Sequence, residues 1–193
     1  MNLEPRTLEG DHVRLEPVTG EHEAEMREAL NCDPENWQLQ VISAMGEHFD
    51  RYWQAMTKMP DRIAFAVRDK ASGRIAGTSS HLFIDRHNRT LEIGSTWFRP
   101  EYRGTAINPE TKLLMLGHAF DAGAVRVQFG VDSRNARSQA AVLKLGAKKE
   151  AIIRRHKITW TGHKRDTALF SIIDEEWGGV REALERRLLQ AKP

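Results

Sequence analysis

The feature that most constrains the fold is the order of patterns between residues 62 and 131. Residues 62–68 alternate in strand fashion, a turn follows at 69–73, and residues 74–82 resume as a hairpin partner. A polar turn at 85–89 leads into a third strand pattern over 90–98, so three consecutive antiparallel strands are predicted. The next apolar strand pattern, 125–131, is reached only through an amphipathic helix over 109–122, with Leu113, Leu114, Leu116 and Phe120 expected on its buried face. A strand–helix–strand connection makes its two strands parallel neighbours through a right-handed crossover. The chain is therefore expected to build a mixed sheet with helices on both faces.

The flanking segments fit this frame. Residues 12–18 alternate as a first strand, 20–30 read as a helix, and 32–40 carry Asn, Asp and Pro and read as a loop or broken helix. A second helix is predicted over 45–59, with Phe49, Tyr52, Trp53 and Met56 on one stripe. That stripe serves either as core or as a wall of an acceptor pocket. A later helix begins near Asn135 and ends at Gly146, a residue suited to the left-handed conformation. Two strands follow around 151–160 and 166–173, joined by a turn at 161–163. A terminal helix over 174–190 is interrupted at Gly178 and Gly179.

Composition removes several classes of function. A chain of 193 residues is expected to form one domain, with 40% hydrophobic and 29% charged residues as in ordinary globular proteins. The net charge of +2 is too balanced to argue for nucleic-acid binding through Arg134, Arg137, Arg154, Arg155 and Lys157. One cysteine, Cys32, excludes an intramolecular disulfide and a Cys-based zinc cluster, and the eight histidines form no metal-binding helix motif. No metal is expected. The first residues lack the apolar core of a signal peptide, and no run approaches transmembrane length, which predicts a cytoplasmic protein without membrane partners.

The chemistry centres on Arg103, Gly104, Thr105, Ala106, Ile107 and Asn108, between the third hairpin strand and the helix that follows. A basic residue, a Gly-containing turn and a helix start make a nest of backbone N–H groups at the positive end of a helix dipole, which suits a pyrophosphate. Asn108 reads as the N-cap, Pro109 as the first helical residue, and Glu110 as an acid favoured by the dipole.

Together, Leu91-Glu92-Ile93-Gly94, the 103–108 loop, Asn135-Ala136-Arg137-Ser138, Leu143-Lys144-Leu145-Gly146-Ala147 and the 165–172 segment before Asp174-Glu175-Glu176-Trp177 resemble the GNAT N-acetyltransferase superfamily, particularly its Rim-type branch acting on protein N-termini. The resemblance covers nearly the whole chain as a single domain, 1–193, with a C-terminal helix over 174–193. It implies the GNAT acyl-CoA acyltransferase fold: an α/β, mostly antiparallel central sheet with one splayed parallel pair. In the loop, Arg103 matches the family pattern, Ala106 replaces the usual Gly, and Asn108 replaces the final small residue. A positive φ at Ala106 would cost roughly 1 kcal/mol or more.

What the resemblance implies for the site is specific. Acetyl-CoA is the cosubstrate, with its pantetheine arm along Trp97 and Phe98, its pyrophosphate on Arg103 to Asn108, and its arm contacted by Asn135. Ser138 is the candidate to protonate the departing thiolate, and Glu92 is the candidate general base, ahead of His81, His118 and His156. No partner for an acyl-enzyme at Cys32 is apparent, so direct transfer through a ternary complex is expected. The acceptor is a primary amine, either a peptide or protein N-terminus or a small amine, selected by residues 31–59 and the hairpin near Thr161. The alternative is a catalytically weak acyl-CoA-binding regulatory module. A homodimer is compatible with an exposed sheet edge.

Overall fold

Strand alternation along the chain builds one open sheet of eight strands in the computed structural model, which describes residues 1–190. The strands are β1 (Leu8–Glu9), β2 (Val13–Pro17), β3 (Ile63–Asp69), β4 (Ile75–Asp85), β5 (Thr90–Phe98), β6 (Arg126–Asp132), β7 (Lys148–Ile158) and β8 (Lys164–Ile173). Their spatial order is β1-β2-β3-β4-β5-β6-β8-β7. β5 and β6 run parallel, and the other neighbouring pairs are antiparallel. The helices are α1 (Glu23–Leu30), α2 (Pro34–Trp37), α3 (Phe49–Thr57), α4 (Ile107–Asp121), α5 (Ala136–Leu143) and α6 (Asp174–Gln190).

The period of two separates the faces of the sheet. Phe65 and Val67 join Met115, Leu116 and Ala119 of α4 and Val180 and Leu184 of α6 in the larger core. Ala64 and Ala66 join Met26 and Leu30 of α1, Trp37 of α2, and Phe49, Tyr52 and Met56 of α3 in a second core. The aromatic stripe of α3 is thus core packing rather than a pocket wall.

Three local expectations change. First, α4 begins at Ile107, with Ala106 at the N-cap position, so Asn108 and Pro109 lie inside the first turn. Thr105 supplies the start instead, its Oγ1 accepting the Ile107 N–H at 3.3 Å. Pro109 fits because first-turn N–H groups have no intrahelical acceptor. Second, α6 runs unbroken through Gly178 and Gly179. Two glycines cost roughly 1 kcal/mol each, and burial of Val180 and Leu184 on the larger core offsets that cost. Residues 191–193 of the expected C-terminal helix lie outside the described residues. Third, the buried face of α4 carries Met115, Leu116 and Ala119 together with Thr111, Lys112 and His118, while Leu113, Leu114 and Phe120 are only partly buried.

Glu110 does more than complement the dipole. Its buried carboxylate accepts the backbone N–H groups of Asp11, His12 and Val13 at 2.9, 2.7 and 2.7 Å. The β1–β2 turn is thereby fastened to the first turn of α4, directly behind the 103–108 loop.

Candidate active site

The parallel pair is short. β5 and β6 pair at Thr90, Leu91 and Glu92 with Arg126, Val127 and Gln128, and no pairing extends beyond that point. β5 continues to Phe98 and β6 to Asp132, so the strands diverge and open a cleft. A bulge with Ser95 at φ +47° accompanies the divergence. The cleft is about 250 Å³ and is lined by the far halves of both strands, by Arg103, Gly104 and Asn108, and by Asn135, Ser138 and Val142 around α5. Backbone polar groups of two strands that have left each other therefore face one space.

At one end of the cleft lies the 103–108 loop. Gly104 has φ +81°, a conformation that suits glycine. Ala106 has φ −66° and ψ −19°, ordinary right-handed geometry, so the strain feared at this position is absent. Among the described residues no acceptor takes the backbone N–H of Gly104, Thr105, Ala106 or Asn108. Four donors without an intramolecular acceptor thus gather at the start of a 15-residue helix, where the dipole favours negative charge. The Arg103 guanidinium turns back: it donates to Phe98 O at 3.1 and 2.9 Å and pairs with Asp33. Its side chain thus fixes the end of β5, leaving the nest to backbone groups.

At the point of divergence sits Glu92, 6% exposed and pushed above the ordinary carboxylate value of 4.5 by burial, with Lys157 and Arg165 opposing that rise. Glycines leave room for its carboxylate. A Cβ on Gly94 would come within 2.9 Å of Glu92 Oε1, and one on Gly130 within 3.3 Å of Oε2. Of the expected site residues, Trp97, Phe98, Arg103, Gly104, Asn108, Asn135 and Ser138 line the cleft, whereas Glu92, Thr105, Ala106 and Ile107 lie beside it. Asn135 caps α5, accepting the Ser138 N–H at 2.9 Å, and no described residue engages the Ser138 hydroxyl. Trp97 and Phe98 line the cleft through the end of β5, but their rings enter opposite cores, Trp97 stacking on Trp37 at 5.5 Å. Ile107 is buried in the larger core and presents no side chain to the cleft.

The competing histidines differ in kind. His81 is wholly buried between Phe65 and His118 and held down to about 3 by desolvation. Its Nε2 meets Met115 O of α4 at 3.1 Å, and it does not line the cleft. His118 and His156 do not line the cleft.

Two cleft residues carried no role in the sequence reading. Lys112 Nζ donates to Ser79 Oγ at 3.0 Å and to Thr96 Oγ1 at 2.7 Å, and burial brings it from 10.5 to about 7. The helical register 108, 112, 115, 119 would have placed it on the inner face. Arg165 of β8, 5% exposed, donates to Gly130 O at 2.9 Å. Nothing in strand alternation alone shows an arginine reaching across a neighbouring strand.

The two segments expected to select the acceptor meet beside the cleft. Asn36, Leu39 and Gln40 line it, and Trp160 of the β7–β8 turn donates its Nε1–H to Trp37 O at 2.8 Å while packing on His48. Arg137 donates to Asn36 Oδ1 at 2.8 Å, and Arg134 chelates Asp132, so two of the five basic residues weighed for nucleic acid are engaged within the protein. No helix is long and apolar enough to cross a membrane among the described residues.

Comparison with known proteins matches this geometry. The acetyltransferase (GNAT) domain family matches residues 12–148. A structure of a GCN5-related N-acetyltransferase from Brucella melitensis is 31% identical, with a TM-score of 0.88 over 96% of this chain and 86% of that one. A T. thermophilus protein assigned as an acetyltransferase is 34% identical, with a TM-score of 0.88 over 97% of this chain and 100% of that one. Mycobacterium smegmatis RimJ in complex with CoA-disulfide shares the fold at 20% identity, with a TM-score of 0.80 and 95% of each chain covered. No curated protein matches the chain.

Proposed function

Because the chain belongs to the GNAT acetyltransferases, an acyl-CoA-dependent family, we propose that it transfers the acetyl group of acetyl-CoA directly to a primary amine, with a peptide or protein N-terminus as the leading acceptor. The observation that carries this reading is the opening of β5 from β6 beyond Glu92, with four free loop N–H groups at its far end.

The nest at residues 104–108 binds the pyrophosphate through backbone donors and the dipole of α4. The pantetheine arm takes the place of the missing ladder between the diverging strands, its amides meeting backbone groups there and Asn135 at the α5 side. Glu92 takes a proton from the acceptor ammonium, so that the neutral amine attacks the thioester carbonyl. A backbone N–H of β5 past the divergence stabilises the oxyanion as charge develops. When the carbon–sulfur bond breaks, the proton shed by the attacking nitrogen reaches the thiolate through the Ser138 hydroxyl, which passes its own proton to sulfur as it receives that one. The nucleophile is the acceptor itself, and no covalent enzyme intermediate is required.

Thiol release from acetyl-CoA with a panel of peptides and amines tests this. Glu92→Gln should lower kcat by about 100-fold, within the usual range for a general base, and remove the acid limb of the pH profile. Because Glu92 is raised, that limb in the wild type lies above the ordinary carboxylate range. Acceptor-dependent release unchanged in Glu92→Gln would rule Glu92 out as the base. Acetyl-CoA binding without release for any amine would turn the reading to the binding module.

A further inference from the structure

Arg165 is a buried cation with most of its hydrogen-bonding capacity unused. One terminal nitrogen donates to Gly130 O, Nε is buried without a partner, and no carboxylate lies within ion-pair distance among the described residues. Asp132 and Glu92 act on it only at longer range, and Asp132 is already chelated by Arg134. A guanidinium carries five N–H donors, and burying it with one of them engaged is costly unless something else completes the set.

The residue lines the cleft, so a ligand there is the missing partner. Its place is informative as well. Gly130, whose carbonyl Arg165 holds, is the same residue whose Cβ position is 3.3 Å from the Glu92 carboxylate. A donor fork and a proton acceptor therefore flank one glycine. We propose that Arg165 docks the acceptor, its free N–H groups receiving the carbonyl or carboxylate oxygen of an α-amino acyl unit whose amine faces Glu92. In such a unit the amine and the acyl oxygen lie on adjacent carbons, which suits a base and a donor fork set side by side. A polyamine offers only cationic donors to a site that already holds Arg165 and the half-buried Lys157, and is rejected. The docking role rests on the acetyl-transfer reading above, with Glu92 as base.

Three acceptors and two variants test the idea. An alanyl peptide supplies a carbonyl, free alanine supplies a carboxylate, and isopropylamine is the same amine without either. In the wild type the peptide or alanine should be used in preference to isopropylamine, and whichever of the two is used better names the oxygen. In Arg165→Met the kcat/KM ratio of that acyl amine to isopropylamine should fall about 10- to 100-fold, the loss expected for a charged hydrogen bond, chiefly through KM. Acetyl-CoA affinity by calorimetry should be unchanged. Arg165→Lys, which keeps the charge but not the fork, should recover part of the ratio.

An unchanged ratio in both variants overturns the proposal, as does equal loss for all three amines together with weaker acetyl-CoA binding, the signature of a merely structural arginine. Calorimetric titration of the peptide and of alanine into the CoA complex separates the two readings. Binding that depends on Arg165 without acetylation upholds docking and sinks the transfer chemistry, whereas no binding and no turnover of either ligand sinks the docking role.

Discussion

At the scale of single residues, function and stability pull Glu92 in opposite directions. Burial raises its pKa above 4.5, so ionising it costs more in the folded chain than in the unfolded one. Its favourable contribution is complete below the unfolded value and is lost as pH rises through the folded value. Glu92→Gln should accordingly be more stable than the wild type near neutral pH, with the gap closing as pH falls toward 4.5, a crossing that urea unfolding at several pH values would show. A gap independent of pH would mean that the carboxylate is not strained by burial. Glu110 matters through hydrogen bonding, because its three backbone N–H partners have no other described acceptor. Glu110→Ala should cost about 3 kcal/mol, the penalty for leaving buried donors unpaired. Glu110→Gln should recover about half of that, since its amide oxygen can still accept from His12 and Val13 while its NH2 confronts the Asp11 N–H. Loss of less than about 1 kcal/mol by denaturant titration would show that water replaces the carboxylate.

At the scale of elements, the acceptor side is assembled by contacts between pieces that are each too small to hold their shape. α2 has four residues and follows Asp33, which sits at φ +62°. It keeps its place because Trp37 is buried against Tyr52 and Trp97, and because Trp160 binds its carbonyl from the β7–β8 turn. Trp160→Phe keeps the ring and removes that hydrogen bond, worth about 1 kcal/mol. The expected result is a KM for the peptide acceptor raised about five-fold with acetyl-CoA affinity unchanged. Equal weakening of both ligands would assign the turn a role in general stability instead. β7, by contrast, is an edge strand exposed along nearly all its length, with Ile152, Ile153 and Ile158 in the open. Lys148, Lys149, Arg154 and Arg155 flank them, charges of the kind that discourage strand addition.

At the scale of the molecule, the site exists because one sheet contains both antiparallel ladders and a parallel pair that fails after three residues. The hairpins of β3, β4 and β5, the crossover helix α4, and the cap and stop of α5 at Asn135 and Gly146 were legible in the chain, because each rests on local causes: period, turn chemistry and end signals. The anion nest of the 103–108 loop was read from its Gly-containing turn and helix start, and the family resemblance narrowed it to a CoA pyrophosphate and added Glu92 as the candidate base. The start of α4 and the continuity of α6 were misread from local signals, since Thr105 and the burial of Val180 and Leu184 outweigh intrinsic propensity. Sequence alone thus determined most of the strands and helices and the order in which they connect, but not the short β1 or the single turn of α2. Tertiary structure alone decided where β5 leaves β6, that Arg103 is spent on Phe98 O and Asp33, and that Lys112 and Arg165 are buried in the cleft. Those outcomes depend on groups up to 70 residues apart competing for the same donors and the same space, and that competition is settled only once the chain has closed on itself.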